Sequence, residues 1–283
     1  MRSVETVAVI GAGTMGRGIA QVAALVGLRA WMYDLSTDLL QAARSSIEAS
    51  LQKGRQLEKI SEEDFNRALQ NLHQTEDFGE AAGRCDFLIE SVPEKIDLKL
   101  EIFQRAEMGT HADVVLATNT SALSITEIAS AVENPARVIG MHFFNPVHLM
   151  KLVEVVCGLE TSEETVDTTK RVAQRMRKET VNLRDSPGFI TSRINAIIGN
   201  EAFYLLQEGV ASAHDIDKAV KLGLNHPMGP FEMVDLVGLD TRLSVLKFLH
   251  QRLGEKYRPC PLLVQYVSAG RLGKKVGRGV YEY

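Results

Sequence analysis

The sequence predicts an α/β domain built on a mainly parallel sheet with a helical-hairpin insertion, followed by an all-α domain. Two observations predict this architecture. In the first two-thirds of the chain, short apolar runs alternate with helical patterns, as in sheets covered by helices on both faces. After Asp185-Ser-Pro-Gly188 the strand patterns stop and only helical patterns follow. We therefore expect a first domain at residues 1–186 and a second at residues 187–283.

Each predicted strand of the first domain is a short apolar run. These runs are Thr6–Ile10, Leu28–Tyr33, Phe87–Val92, Val114–Ala117, Val138–Met141 and Leu152–Val156. Helical patterns separate most of them, at Met15–Val26, Ile96–Met108 and Glu163–Arg177. This alternation of strand and helix favours parallel pairing.

The insertion at residues 36–72 is predicted to be two consecutive helices, Asp38–Leu51 and Glu62–Leu72. Between them we expect a basic hinge formed by Lys53, Arg55 and Lys59. The second domain has helical patterns at Phe189–Gln207, Ala213–Leu222, Phe231–Leu253 and Pro261–Ser268.

The bulk composition excludes several classes of protein. The chain has 283 residues, of which 45% are hydrophobic and 24% charged, as is typical of a globular protein. Its net charge of −4 argues against nucleic acid as the main partner. No apolar run is long enough to predict a membrane span, and no signal-peptide pattern precedes the first strand. Cys85, Cys157 and Cys260 are far apart, which indicates a reducing, cytoplasmic compartment rather than a disulfide framework.

A glycine-rich run follows the first strand and opens a helix. Gly11, Gly13 and Gly16, with Thr14 and Met15 between the last two, form a GxGxxG pattern. The first glycine allows a tight turn, the second lets a pyrophosphate approach the backbone, and the third allows close helix–strand packing. Asp34 ends the second strand, where a carboxylate takes the ribose hydroxyls, and no arginine follows it. The pattern therefore predicts a Rossmann-type domain that binds NAD rather than NADP, whereas the alternative is a structural turn with a capping aspartate.

An acid–base pair is the predicted catalytic device. His142 lies at the end of an apolar strand, at the sheet edge where open α/β sheets bind ligands. Glu154 interrupts another apolar strand, where a carboxylate is costly unless it is paired. Such a glutamate would orient the histidine as it accepts a hydroxyl proton. Spacing alone leaves open a packing role for His142 and a solvent-facing edge position for Glu154, and His148 and His226 compete for the role of base. No metal site is predicted.

Nine motifs spread along the chain carry a resemblance to a known family. They are Gly11-Ala-Gly13-Thr-Met-Gly16, Glu90-Ser-Val-Pro-Glu94, Thr118-Asn-Thr-Ser121, His142-Phe-Phe-Asn145-Pro146-Val, Lys151-Leu-Val-Glu154-Val, Pro187-Gly-Phe-Ile190, Pro227-Met-Gly-Pro-Phe-Glu232, Gly238-Leu-Asp240 and Gly273-Lys-Lys275. Together they resemble the 3-hydroxyacyl-CoA dehydrogenase family over essentially the whole chain. The resemblance implies NAD-dependent oxidation of the 3-hydroxyl of an acyl-CoA thioester, and a homodimer built by the helical domain.

The resemblance also implies roles for individual residues. His142 is similar to the catalytic base and Glu154 to its orienting carboxylate, and Ser121 resembles a serine that contacts both substrate and cofactor. The implied cofactor contacts are Glu94, Lys99, Asn145 and Lys275. The insertion resembles a segment that lies over coenzyme A, so Lys53, Arg55 and Lys59 become candidates for its phosphates, although a solvated charged face is equally consistent. Ser192 stands where the family has an asparagine near the substrate, which bears on substrate range and turnover.

Two alternatives remain at this stage. Relatives with similar motifs oxidise sugar acids or carnitine rather than CoA thioesters, and the length and basic hinge of the insertion favour CoA. The other alternative is a dinucleotide-binding protein with a structural or sensing role, which would not require an acid–base pair.

Overall fold

The computed structural model describes residues 3–283, and the chain divides into two compact units at Asp185/Ser186. Within residues 3–283 the first unit has a single eight-stranded sheet with the order β3-β2-β1-β4-β5-β6-β7-β8. Its strands are β1 (Thr6–Ile10), β2 (Arg29–Tyr33), β3 (Leu72–Thr75), β4 (Phe87–Glu90), β5 (Val115–Thr118), β6 (Val138–Phe143), β7 (Leu152–Cys157) and β8 (Glu179–Arg184). All neighbours are parallel except β6 and β7, which pair antiparallel. The predicted fold class is therefore confirmed.

Seven helices accompany this sheet in the described part of the first unit. They are α1 (Thr14–Leu25), α2 (Thr37–Gln56), α3 (Glu62–Gln70), α4 (Phe78–Arg84), α5 (Ile96–Gly109), α6 (Ile125–Ala129) and α7 (Glu163–Arg175). The central strands are buried along their whole length because helices cover the sheet. Sequence patterns did not reveal the edge strands β3 and β8, which are only partly buried and therefore lack a continuous apolar run.

The predicted basic hinge needs a correction. Helix α2 continues to Gln56, so Lys53 and Arg55 lie in its last turn and only Lys59 lies in the connection to α3. The longer helix is stabilised because cations in a last turn complement the negative end of the helix dipole. The arm formed by α2 and α3 is still a helical hairpin, and Leu72 begins β3 rather than ending α3.

The second unit is helical. Its helices are α8 (Thr191–Gln207), α9 (Ala213–Gly223), α10 (Pro230–Val237), α11 (Leu239–Leu253) and α12 (Pro261–Ser268). The predicted single helix Phe231–Leu253 is wrong, since it is broken into α10 and α11 at Gly238, whose φ is +106°. That conformation is compatible with glycine and ends α10. The core contains Phe203, whose ring meets that of Phe231 edge to face at 5.2 Å.

Every helix within residues 3–283 is too short or too polar to cross a bilayer.

Candidate active site

The loop between β1 and α1 has one open glycine and two that are closely packed. A Cβ atom at Gly16 would lie 1.8 Å from the carbonyl oxygen of Gly11, which enforces close helix–strand packing. Gly11 has a φ of +103°, which favours glycine, and a Cβ there would lie 2.7 Å from the carbonyl oxygen of Ser91. A Cβ at Gly13 would meet no heavy atom within 4 Å. The backbone is thus open at Gly13, and Thr14 beside it is exposed at the N-terminus of α1, followed by half-buried Met15.

Asp34 holds the end of β2 against this loop. One carboxylate oxygen, Oδ2, accepts a hydrogen bond from the Ala12 amide at 2.6 Å. The other, Oδ1, accepts one from the Leu35 amide at 2.7 Å. The side chain is only partly buried, so it keeps access to solvent beside the glycine loop. This is the position in which a carboxylate meets ribose hydroxyls in Rossmann-type domains.

Glu94 ties together the loops that follow β4 and β5. Its Oε1 atom accepts hydrogen bonds from the Thr120 hydroxyl at 2.5 Å, from the Ser121 amide at 2.9 Å and from the Ser121 hydroxyl at 3.3 Å. The Ala122 amide adds another at 3.3 Å. The Glu94 side chain remains 39% exposed. The predicted residues Glu94 and Ser121 are therefore direct neighbours at the sheet edge, and their polar groups are accessible.

Beneath Glu94 lies a buried ion pair. The ammonium of Lys99 donates to both carboxylate oxygens of Glu90, at 2.7 and 2.9 Å, and both side chains are fully buried. Glu90 also accepts hydrogen bonds from the Val92 amide and the Thr118 hydroxyl. This geometry differs from the direct cofactor contact implied for Lys99, because a side chain without exposed surface offers no face to a ligand. The partly exposed Glu94 is close to it, with Oε2 3.6 Å from the ammonium.

His142 and Glu154 face each other across β6 and β7. The antiparallel register makes them direct partners, and His142 Nδ1 lies 2.7 Å from Glu154 Oε2. Glu154 is fully buried and His142 is 7% exposed. A buried carboxylate is stable in such a strand only when it is paired, as it is here. The pairing fixes the tautomer with the proton on Nδ1 and leaves Nε2 as the basic nitrogen.

Two asparagines extend the site around His142. Asn119 follows β5; its Oδ1 accepts a hydrogen bond from the Phe143 amide at 2.8 Å, and its Nδ2 donates to the Ser91 hydroxyl at 3.3 Å. It thereby joins the ends of β4, β5 and β6. Asn145, which is exposed, comes just after β6 and precedes a cis peptide bond to Pro146.

The competing histidines lie elsewhere. His148 follows β6 and is exposed at its side chain; partial burial and the charge of Lys178 lower its pKa. His226 belongs to the second unit, between α9 and α10. Neither has a carboxylate partner among residues 3–283 like the one that Glu154 provides for His142.

Within the same residues there is no group of three or more His, Cys, Asp or Glu side chains that could hold a metal ion.

The remaining predicted residues lie on the arm and in the second unit. Lys53 and Lys59 are exposed, whereas Arg55 forms an ion pair with Glu62 and lies over the Phe65 ring at 4.8 Å. Ser192 is in the first turn of α8. The Lys275 ammonium donates to both carboxylate oxygens of Asp240, at 2.6 and 2.7 Å.

The sheet topology brings most predicted first-unit residues to one edge. The glycine loop, Asp34, Glu94, Ser121 and His142 follow or end strands that are neighbours in the order β2-β1-β4-β5-β6. Parallel strands end at the same edge, so their separate sequence positions converge. Sequence reasoning assigned no role to Glu90, although it begins the Glu90-Ser-Val-Pro-Glu94 motif and a carboxylate within an apolar run is the signal that revealed Glu154. It also assigned no role to Asn119, although this residue lies in the Thr118-Asn-Thr-Ser121 motif.

The strand order, the glycine loop and the contact between His142 and Glu154 at the carboxyl edge are typical of a Rossmann-type oxidoreductase. The family model described as the NAD binding domain of 3-hydroxyacyl-CoA dehydrogenase matches residues 6–186. The one described as the C-terminal domain matches residues 188–283. The chain therefore belongs to the 3-hydroxyacyl-CoA dehydrogenase family, and its first unit carries an NAD-binding domain.

Individual relatives agree with this assignment. The chain is 43% identical to the 3-hydroxybutyryl-CoA dehydrogenase of Bradyrhizobium diazoefficiens, over 99% of this chain and 96% of the relative. It is 40% identical to the enzyme of that name from Clostridioides difficile, over 98% of both chains. The solved structure of (S)-3-hydroxybutyryl-CoA dehydrogenase from Ralstonia eutropha superposes with a TM-score of 0.96 at 41% identity, covering 99% of both chains.

Proposed function

We propose that this chain interconverts (S)-3-hydroxyacyl-CoA and 3-ketoacyl-CoA with NAD, and that 3-hydroxybutyryl-CoA is its substrate. The observation that carries the proposal is the buried pair of His142 and Glu154, 2.7 Å apart at the sheet edge that also bears the glycine loop. The names of the similar proteins support the thioester and its four-carbon chain.

The residues present fit NAD. The open backbone at Gly13 leaves space for a pyrophosphate against the N-terminus of α1, and the Asp34 carboxylate stands beside it for a ribose. When bound, NAD accepts the hydride that leaves the carbon bearing the substrate hydroxyl. The chain's own residues are proposed to bind and orient the substrate and the cofactor and to move the proton.

His142 is the proposed general base in oxidation and the general acid in reduction. Because Nδ1 donates its proton to Glu154 in a hydrogen bond, Nε2 is the ring nitrogen proposed to accept the hydroxyl proton. The imidazolium that forms is stabilised by the carboxylate, which is already in contact and needs no rearrangement. In the reverse direction the same proton returns to the substrate oxygen.

Residues around the pair are proposed to bind and orient the reactants. Ser121 is proposed to turn its hydroxyl from Glu94, where the hydrogen bond is 3.3 Å long, to the substrate oxygen, and Glu94 holds the Ser121 loop through the amide. Asn145, three residues after His142, is exposed and is proposed to contact the nicotinamide. We assign Lys99 a supporting role, since it neutralises Glu90 and lies close to Glu94.

Ser192 is proposed as a substrate contact and Lys275 as a cofactor contact, and the second unit is proposed to form a homodimer. Exposed apolar side chains on its helices, among them Ile194, Leu222 and Leu236, support self-association. We also propose a cytoplasmic location, which is supported by three free cysteines.

The direct test of function is reduction of acetoacetyl-CoA by NADH, followed at the absorbance of NADH. We expect turnover with acetoacetyl-CoA and little with free 3-hydroxybutyrate, carnitine or sugar acids in the oxidative direction. Turnover of a free hydroxy acid in place of the thioester would instead support the non-CoA alternative. Absence of turnover with every substrate would support a non-catalytic protein.

Asp34 is expected to determine the preference for NADH over NADPH. In wild type the preference should be at least about tenfold, which corresponds to roughly 1.4 kcal/mol. Asp34→Ala removes the carboxylate that would repel a 2′-phosphate and bind the ribose hydroxyls, so this preference should shrink. The measurement is kcat/KM with each cofactor at saturating acetoacetyl-CoA. Equal use of both cofactors by wild type would contradict the ribose assignment.

The arm is expected to contribute to CoA affinity through its exposed lysines. Lys53→Gln combined with Lys59→Gln should raise KM for acetoacetyl-CoA several-fold and leave NADH affinity unchanged. Arg55→Gln should have a smaller effect, because Glu62 already compensates that charge. The difference from wild type should shrink as salt is added, since exposed charges are screened over about 10 Å at 0.1 M.

A shortened pantetheine thioester is the matched substrate for this experiment. It lacks the CoA phosphates, so the double variant and wild type should use it equally. If wild type handled the short and full-length thioesters with the same kcat/KM, the arm would not be a CoA site.

A further inference from the structure

Lys178 is a buried lysine that the proposed mechanism does not use. It lies between α7 and β8, and the residue is only 6% exposed. Within residues 3–283 no carboxylate lies within ion-pair distance of its ammonium, unlike that of Lys99. Burial lowers the pKa of Lys178, which reflects the cost of placing a charge in this position. A methionine could fill the same volume without that cost, so packing alone does not account for a lysine here.

The ammonium is bound to backbone carbonyls instead. It donates hydrogen bonds to the carbonyl oxygens of Val147 and, at 2.7 Å, of Met150. Both belong to the turn Pro146–Met150, which is closed by hydrogen bonds from the Leu149 and Met150 amides to the Pro146 carbonyl, each at 3.0 Å. Hydrogen bonds from a charged donor are stronger than neutral ones, so this contact holds the turn firmly.

The turn Pro146–Met150 connects the two strands that carry the acid–base pair. His142 lies near the end of β6, before the turn, and Glu154 lies near the start of β7, after it. Asn145, the proposed nicotinamide contact, directly precedes the turn. Any displacement of the turn therefore moves the exposed asparagine and the ends of both strands.

The same turn packs against the helix that starts at the glycine loop. Val147 is 2% exposed, and a Cβ atom at Gly18 of α1 would lie 2.8 Å from its side chain. Gly18 is thus small enough to let Val147 reach the helix surface. Lys178 binds the carbonyl oxygen of the same residue, so the turn is held both by Lys178 and by the packing of Val147 on α1.

We propose that Lys178 is a positioning residue for the reaction, which holds the Pro146–Met150 turn against α1 and thereby sets Asn145 and His142 relative to the nicotinamide end of the cofactor. The inference rests on the proposed function. It assigns Lys178 no contact with substrate or cofactor, only control over where the reacting groups stand. Misplacement of reacting groups by about 1 Å can cost on the order of 10²-fold in rate.

The test compares Lys178→Met with Lys178→Arg and with Lys170→Met. Lys170 is a matched control because it lies on α7 with its side chain a third exposed, near Asp167. We expect Lys178→Met to lower kcat for acetoacetyl-CoA reduction by about 10- to 100-fold. Lys178→Arg keeps a cation with several donors and should restore most of the loss, and Lys170→Met should behave as wild type.

Two further readouts separate positioning from a general structural role. ADP-ribose binds the dinucleotide site without a nicotinamide, so its Kd should be unchanged in Lys178→Met. With NADH deuterated at the transferred position, the isotope effect on kcat should increase, because hydride transfer becomes slower relative to the other steps. All measurements are made well below the melting temperature of each variant.

Wild-type kcat in folded Lys178→Met would overturn the inference, as would a loss of ADP-ribose affinity in proportion to kcat. If Lys178→Met does not fold, Val147→Ala loosens the same turn from the α1 side. It should lower kcat with ADP-ribose binding intact, and wild-type kcat in that variant would equally overturn the inference. Failure of the proposed function is distinguishable, because it would be seen as an inactive wild type.

Discussion

Replacing His142 by glutamine is expected to lower kcat for acetoacetyl-CoA reduction by about 10²–10⁴-fold, the usual loss when a general acid or base is removed. The affinity for NADH should change little, since the glycine loop and Asp34 lie on other strands. Glutamine retains polarity and approximate size but cannot take up the proton. The measurements are steady-state kinetics with acetoacetyl-CoA and a separate NADH titration by fluorescence.

Glu154→Gln provides the second half of this experiment. The amide keeps the shape but loses the charge that stabilises the imidazolium, so kcat should again fall. Because the two residues are in direct contact at 2.7 Å, their losses should combine less than multiplicatively in the double variant. Fully multiplicative losses would show that the pair is not coupled. His226→Gln is the matched control, and a comparable loss there would transfer the role of base to that residue.

The second large effect is expected at the glycine loop, where two substitutions of the same size should differ. Gly16→Ala would place a methyl group 1.8 Å from a backbone oxygen, so the loop or the helix must shift. Overpacking of this kind costs about 1–3 kcal/mol or more. We expect a lower melting temperature. If a comparable part of this cost falls on the bound state, NADH binding should weaken by about 10- to 100-fold, since each 1.4 kcal/mol corresponds to about tenfold.

Gly13→Ala is the informative partner. Its φ of −65° suits alanine and a Cβ there meets no protein atom within 4 Å, so the melting temperature should stay near that of wild type. NADH affinity should still fall, because the methyl group occupies the space through which a pyrophosphate approaches the backbone. Thermal melts with and without NADH separate the two effects. If Gly13→Ala bound NADH as tightly as wild type, the pyrophosphate would not lie against this face.

Local sequence was sufficient for most of the elements and for the glycine loop. Strand β1 and helix α12 have the bounds that their patterns predicted, Thr6–Ile10 and Pro261–Ser268. A buried strand and a proline-initiated helix can be predicted from consecutive residues, because burial and backbone preference act there over one short segment. The GxGxxG run is likewise a continuous segment whose steric demands can be read without its surroundings.

Which side chains of the candidate site meet in space was decided by the tertiary structure. The patterns indicated that Glu154 needs a partner and that His142 lies at a sheet edge, but only the antiparallel register of β6 and β7 brings these two side chains opposite each other. Register depends on which strands become neighbours, and that is set by the burial of the whole sheet. The edge strands β3 and β8 were not predicted either, because they are only partly buried and therefore lack a continuous apolar run.

Charged residues show most clearly what local sequence does not determine. In sequence, Lys53 belongs to a basic cluster, whereas no local pattern separates Lys99 from Lys178. The resemblance suggested ligand contacts for Lys53 and Lys99. In the structure Lys99 is buried against Glu90, Lys178 is buried against carbonyl oxygens, and Lys53 is exposed at the end of a helix. A lysine's role follows from what surrounds its ammonium, because desolvation must be offset by specific partners. Those partners come from distant parts of the chain, so the sequence determined which charges are present and the fold determined which of them can meet a ligand.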